Sequence, residues 1–97
     1  MMDYERDGDT VTVHFRRDFN LLTARHLRQV AQGAEHVRVD LSHARLVDTE
    51  AIAALWTLQD DGTRITLYDP PELFHDLVEA LDLEDFFEVE VAGRVES

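Results

Sequence analysis

Val37-Arg-Val-Asp-Leu-Ser-His-Ala-Arg-Leu-Val-Asp-Thr-Glu-Ala-Ile-Ala-Ala-Leu55 is the stretch that decides the fold. Val37, Val39 and Leu41 alternate with polar residues, which reads as a short buried strand. A polar loop then leads to Asp48, whose carboxylate can accept the free amides of a first helical turn. The helix opened there runs to about Gln59, with Gly62 just past its end. The same two periods continue outward. Upstream, Val11, Val13 and Phe15 mark a strand over residues 10–15, and Asp7-Gly8-Asp9 is a turn signal that lets residues 1–5 pair as an edge strand. Leu27, Val30 and Ala31 give helical spacing within residues 22–32, ending near Gly33. Downstream, residues 64–68 read as a strand. Pro70-Pro71 open a helix carrying Leu73, Leu77, Val78 and Leu81, and residues 86–91 form the last strand. The order β-β-α-β-α-β-α-β predicts an α/β fold: one domain over residues 1–97, with a mixed, mostly parallel sheet of four to five strands and helices packed on it. In such sheets the working loops lie at the carboxyl ends of strands, here residues 17–22 and 42–50.

Charge and composition narrow the function. The 97-residue chain carries 21 Asp and Glu against 9 basic residues, all arginine, for a formal net charge of −12. A surface this acidic repels a phosphate backbone, so no nucleic-acid partner is expected. No apolar run approaches the roughly 20 residues that span a bilayer, and the acidic first nine residues lack the order of a secretory signal. A cytoplasmic protein without direct membrane insertion is expected. The chain has no cysteine, which removes disulfides, thiolate metal sites and thiol redox chemistry. The missing lysine removes Schiff-base chemistry and P-loop phosphate binding. It also removes a phospho-receiver domain, which needs a lysine near its aspartyl phosphate. Residues 69–97 hold ten acids and one arginine, hence −9, whereas residues 1–68 hold eleven acids and eight arginines, hence −3. The −9 segment is expected to be solvated surface away from the helix at Asp48, with the arginines nearer the working face. Such acidity without lysine also suggests a salt-adapted or GC-rich source.

Asp48-Thr49-Glu50 is the densest polar point of the middle of the chain. It reads either as a capped helix start favoured by the helix dipole or as a hydroxyl and carboxylates presented to a partner. His14, His26, His36, His43 and His75 include no pair at zinc spacing, so neither metal nor cofactor is expected. Ser42 and Ser97 lack a Gly-flanked elbow, which leaves a hydrolase triad unsupported. Trp56, one position from the Ile52/Leu55 stripe, is expected at the core or its edge; exposure there would indicate an interface.

With these elements placed, Asp40-Leu41-Ser42 followed by Val47-Asp48-Thr49, Ile52 and Leu55 resembles the STAS domain, a family named for sulfate transporters and anti-sigma-factor antagonists. The family pattern is an apolar strand ending in Asp-Leu-Ser, a loop, and Asp-Ser-Ser-Gly-Leu entering a helix. Phe19-Asn20 with Thr23-Ala24 and Leu27 resembles a second family segment. Pro71-Glu72-Leu73 through Leu77, Leu81, Leu83 and Phe87-Glu-Val89 resembles a third. The likeness spans about residues 9–91. In anti-sigma-factor antagonists a kinase phosphorylates the second hydroxyl residue of the motif. That position is Glu50 here, the Gly position is Ala51, and Thr49 is the hydroxyl left as a phosphosite. Asn20 stands where the family often has Asp, and Arg17 where it often has Gly. The helix at Asp48 is about one turn shorter than in family members, and the chain stops soon after its last strand, so the family's terminal helix is expected to be missing.

The resemblance implies a non-catalytic interaction module that regulates a partner protein, as an anti-sigma factor antagonist does, with a degenerate phosphorylation motif. Its partner-binding face would comprise Asp48, Thr49, Glu50, Asn20 and Ile52. The partner would be an anti-sigma factor or switch-type kinase. Alternatively it would be the ATPase of a lipid-asymmetry ABC transporter, whose small STAS subunits carry a threonine at the corresponding helix start. A homodimer is left open. A further alternative is a nucleotide or lipid binder; with no Gly-rich loop, its phosphate contacts would fall to Arg16, Arg17 and Arg45.

Overall fold

The structure is a computed structural model that describes residues 2–83 and 85–90. Strand β1 (Met2–Asp7) turns back on β2 (Thr10–Phe15), with Asp7 paired to Thr10 across a two-residue loop. Gly8 holds φ +63° at the first of those loop positions, a conformation that glycine adopts without a Cβ penalty. Then follow β3 (Asp18–Phe19), α1 (Leu21–Val30), β4 (His36–Asp40), β5 (Leu46–Val47), α2 (Thr49–Asp60), β6 (Arg64–Tyr68), α3 (Glu72–Ala80) and β7 (Glu88–Glu90).

The main sheet has five strands in the order β1-β2-β4-β6-β7. The β1 hairpin is antiparallel and the other pairings are parallel. Val11, Val37 and Ile65 stand in one row across the register, and Val13, Val39 and Leu67 in the next. These buried residues form one core with Ala24 and Leu27 of α1, Ile52 and Leu55 of α2, and Phe74 and Val78 of α3. The helices therefore cover one face of the sheet. The opposite face carries the alternate residues, a polar ladder that includes His14, His36, Arg38, Asp40, Thr66 and Glu88.

The expected mixed sheet is present in its five-stranded form. The last strand begins two residues later than residue 86, and Val91 lies outside the described residues. Pro71 occupies the N-cap of α3 instead of its first turn and makes no side-chain cap bond. Helix α2 ends in a Schellman arrangement: the amide of Gly62, at φ +102°, donates to Gln59 O and that of Thr63 to Leu58 O.

Candidate functional site

A second, two-stranded parallel sheet pairs β3 with β5, Asp18 with Leu46 and Phe19 with Val47. The Asp48 amide extends it, donating to Phe19 O at 2.9 Å. Two residues per strand leave no periodic signal, so the sequence alone showed two separate loops. The sheet ties them together and sets the starts of α1 and α2 side by side. Phe19 and Val47 anchor the pair in the core, with Phe19 4.8 Å from Phe15 ring to ring.

Both helix starts are capped by the residues expected to bind a partner. Asn20 is the N-cap of α1: its Oδ1 accepts the Thr23 amide at 3.0 Å, while the Asn20 amide donates to Thr23 Oγ1 at 3.0 Å. This reciprocal capping box leaves Asn20 half-buried. Asp48 is the N-cap of α2 and its Oδ1 accepts the Glu50 amide at 3.1 Å. Thr49 and Glu50 are exposed on the first turn, where the partial positive charge of the helix start favours a carboxylate. Four of the five expected residues thus gather around one surface.

Ile52 is the exception, and the expectation of a partner-binding role for it is corrected. Its side chain is fully buried among the core residues, because it shares the inward phase of α2 with Leu55. It holds the helix in place and presents nothing to a partner. The outward phase is Thr49, Ala53 and Trp56, spaced i, i+4 and i+7, a stripe that sequence reasoning passed over. Trp56 is 38% exposed and meets Phe86 edge to face at 6.4 Å. That exposure is the condition the sequence set for an interface.

Two apolar grooves flank Thr49. One, of about 460 Å³, lies between the β3/β5 sheet and α3, against Asn20, Leu46, Asp48, Leu73 and Leu77. The other, of about 430 Å³, lies against Glu50, Ala53, Trp56, Leu81 and Leu83. Helix α3 walls the first groove, so part of the −9 segment borders the motif instead of lying away from it. Conversely, no arginine is among the described residues lining either groove. Arg16, just past β2, pairs with Asp3, and on the main sheet Arg64 pairs with Glu88 and Arg38 with Tyr68. Of the arginines that the nucleotide- or lipid-binding alternative would use, Arg16 lines a different cavity, beside His14 and Asp40.

A separate polar cluster lies at the carboxyl ends of β2 and β4. His14 Nδ1 sits 2.8 Å from Asp40 Oδ2, and Asp40 Oδ1 accepts the Ser42 amide at 3.0 Å. Burial acts to raise the Asp40 carboxyl, but hydrogen bonds from Ser42 and His14 outweigh it and hold the group below its ordinary range. A cavity of about 500 Å³ adjoins His14, Asp40, His43, Asp3 and Glu5. The Ser42 hydroxyl contacts His43 Nδ1, not His14, so serine, histidine and aspartate do not form a relay. Among the described residues no three acidic or histidine side chains are placed to hold a metal ion, and no helix is long and apolar enough to cross a membrane.

The fold has close counterparts among solved structures. The anti-sigma factor antagonist SpoIIAA in its unphosphorylated form superposes with a TM-score of 0.73 at 10% identity, over 92% of this chain and 87% of that one. A proposed anti-sigma factor antagonist of Thermotoga maritima also gives 0.73, at 14% identity, over 92% and 85%. At such identities the likeness is one of fold. Curated protein sequences yielded no significant match. The family model described as "Mlab, STAS domain" matches residues 2–91, nearly the whole chain, and the protein accordingly belongs to the STAS domain family.

Proposed function

We propose that this protein is a non-catalytic cytoplasmic STAS module that regulates a partner protein, binding it through the surface around Asn20, Asp48, Thr49 and Glu50. One observation carries the reading. Thr49 and Glu50 stand exposed at the start of α2 between two apolar grooves, while the capping bonds of Asn20 and Asp48 hold that start rigid. A rigid polar knob bordered by apolar surface suits protein recognition better than catalysis, which would need a nucleophile and base in contact. Glu50 occupies the position of the phosphorylated hydroxyl in switching relatives. It supplies a fixed charge of about one where a phosphate would supply nearly two, which leaves Thr49 as the hydroxyl of the motif open to phosphorylation.

A second reading is an accessory subunit of an ABC-transporter ATPase. It is favoured by the exposed Thr49 at the first helical position beside a residue that cannot be phosphorylated. Affinity capture from native lysate with the wild-type protein and with Thr49→Arg, read by quantitative mass spectrometry, tests both. The expected result is one captured regulatory kinase, anti-sigma factor or transporter ATPase that the variant loses. Equal capture of every protein by both forms would remove the proposed face.

A further inference from the structure

Resting on that reading of the face, the geometry points to the chemistry of the partner: we infer that the two grooves form one trough for a basic amphipathic helix. The grooves share Thr49 as a wall. Along α3 the trough is lined by Leu73, Leu77 and Leu81, at i, i+4 and i+8, which spans about 12 Å of helix. Along α2 it is lined by Thr49, Ala53 and Trp56. The trough is therefore about two helical turns long, and the small Ala53 gives it depth between larger neighbours. Leu73 and Leu81 are each 42% exposed, and Leu46 at its end is 62% exposed, so the lining is not satisfied within the molecule.

Two features choose the occupant. The long walls are helices, whose backbone hydrogen bonds are already internal, and the β3/β5 sheet that closes one end has only two residues per strand, too short an edge to hold an added strand, so recognition must run through side chains seated in the groove. Apolar residues at three- and four-residue spacing on one face of a helix meet that requirement. The charged residues lining the trough, among those described, are Asp18, Asp48 and Glu50, all carboxylates. They favour Lys or Arg flanking the apolar face and disfavour an acidic helix.

Trp56 is the only tryptophan and lies in the trough, so its fluorescence reports occupancy directly. Three synthetic peptides of about 15 residues serve as probes: a Leu–Lys amphipathic helix, a Leu–Lys peptide of identical composition in scrambled order, and a Leu–Glu amphipathic helix. At physiological salt the Leu–Lys helix is expected to shift Trp56 emission saturably and to bind at least about tenfold tighter than either control. Ala53→Arg, an exposed substitution that fills the trough and offsets one of its three negative charges, is expected to cost about tenfold in that affinity while leaving the circular dichroism unchanged. Equal binding of ordered and scrambled peptides, or of the Leu–Lys and Leu–Glu helices, would overturn the inference. If Thr49→Arg still abolishes native capture in that case, the binding face stands and only the helix assignment falls. If Thr49→Arg leaves capture unchanged, the face itself falls.

Discussion

At the residue scale, neighbours on α2 have opposite duties, and mutation separates them. Thr49 contributes a hydroxyl at the surface and Ile52 a side chain in the core. Thr49→Ala is expected to leave the melting temperature nearly unchanged and to weaken partner binding by about 1 kcal/mol, the usual worth of one such hydrogen bond. Ile52→Ala leaves a cavity and is expected to cost about 2–5 kcal/mol of stability. Thermal unfolding of both variants beside a binding assay checks the pair; equal melting losses would contradict the placement. The sheet's polar face makes a second prediction. His36 Nε2 lies 2.9 Å from Thr66 Oγ1, with Arg38, Arg64, Glu88 and Glu90 around it. Burial first, then Arg64 and Arg38, hold its pKa below the ordinary histidine value of 6.5. The folded state therefore binds fewer protons than the unfolded chain below that value, and stability is lost as pH falls from 6.5 toward the folded pKa. Asp40, also depressed, adds a loss at lower pH, below the ordinary aspartate value of 3.8. Melting temperature is expected to fall between about pH 7 and pH 5, and His36→Gln to flatten that arm. An unchanged slope in the variant would assign it elsewhere.

At the scale of elements, α3 ends as α2 does, but without the glycine. Asp82 holds φ +61°, its amide donating to Glu79 O at 3.1 Å and that of Leu83 to Val78 O at 2.8 Å. This is a Schellman motif with aspartate in the left-handed position, where a Cβ is strained, and with a carboxylate at the negative end of the helix dipole. Asp82→Gly is expected to stabilise by about 0.5–1 kcal/mol, raising the melting temperature by a few degrees; a loss on thermal unfolding would refute this account of the cap. Elements of this kind explain what was legible beforehand. Strands β2, β4 and β6 and the three helices show in the sequence because each buries residues at period two or near four; β1 is exposed over residues 3–7 and is marked by the Asp7-Gly8-Asp9 turn, β7 is exposed throughout, and Gly62 marks the stop of α2. The β3/β5 pair was illegible because two residues define no period; its bonds run between segments about 28 residues apart. The site was half legible for the same reason. Asp48, Thr49 and Glu50 are contiguous and Asn20 belongs to a motif, but the leucines of α3 that border them are apolar residues whose orientation only packing decides. Ile52 was misplaced because a motif position says nothing of helical phase.

At the scale of the molecule, the acidity is organised. Helix α3 carries Glu72, Asp76 and Glu79 without an arginine, and β7 adds Glu88 and Glu90 at the sheet edge. Against a net charge of −12, the arginine ion pairs described are Arg16–Asp3 at 2.6 Å and Arg64–Glu88 at 3.0 Å, all four side chains at least half exposed. Exposed pairs contribute about 0–1 kcal/mol each, whereas repulsion acts among all the surplus carboxylates of the compact state. Salt screens both, but the repulsion outweighs the few exposed attractions, so net stabilisation by salt follows. Between about 0.05 M and 1 M NaCl the screening length shrinks to about 3 Å, and the melting temperature is expected to rise by at least about 4 °C, the equivalent of about 1 kcal/mol for a domain of this size. No cation-binding cluster exists among the described residues, so the gain should depend on ionic strength and be equal for sodium, potassium and choline chlorides. A melting temperature that stays flat with salt would show that the ion pairs offset the surplus. A gain confined to one cation would replace screening with specific binding. The same screening acts on the Asp18, Asp48 and Glu50 rim of the trough. A cationic partner should therefore bind more weakly in the salt that makes the free protein more stable, and opposite slopes of affinity and stability against salt are the expected signature.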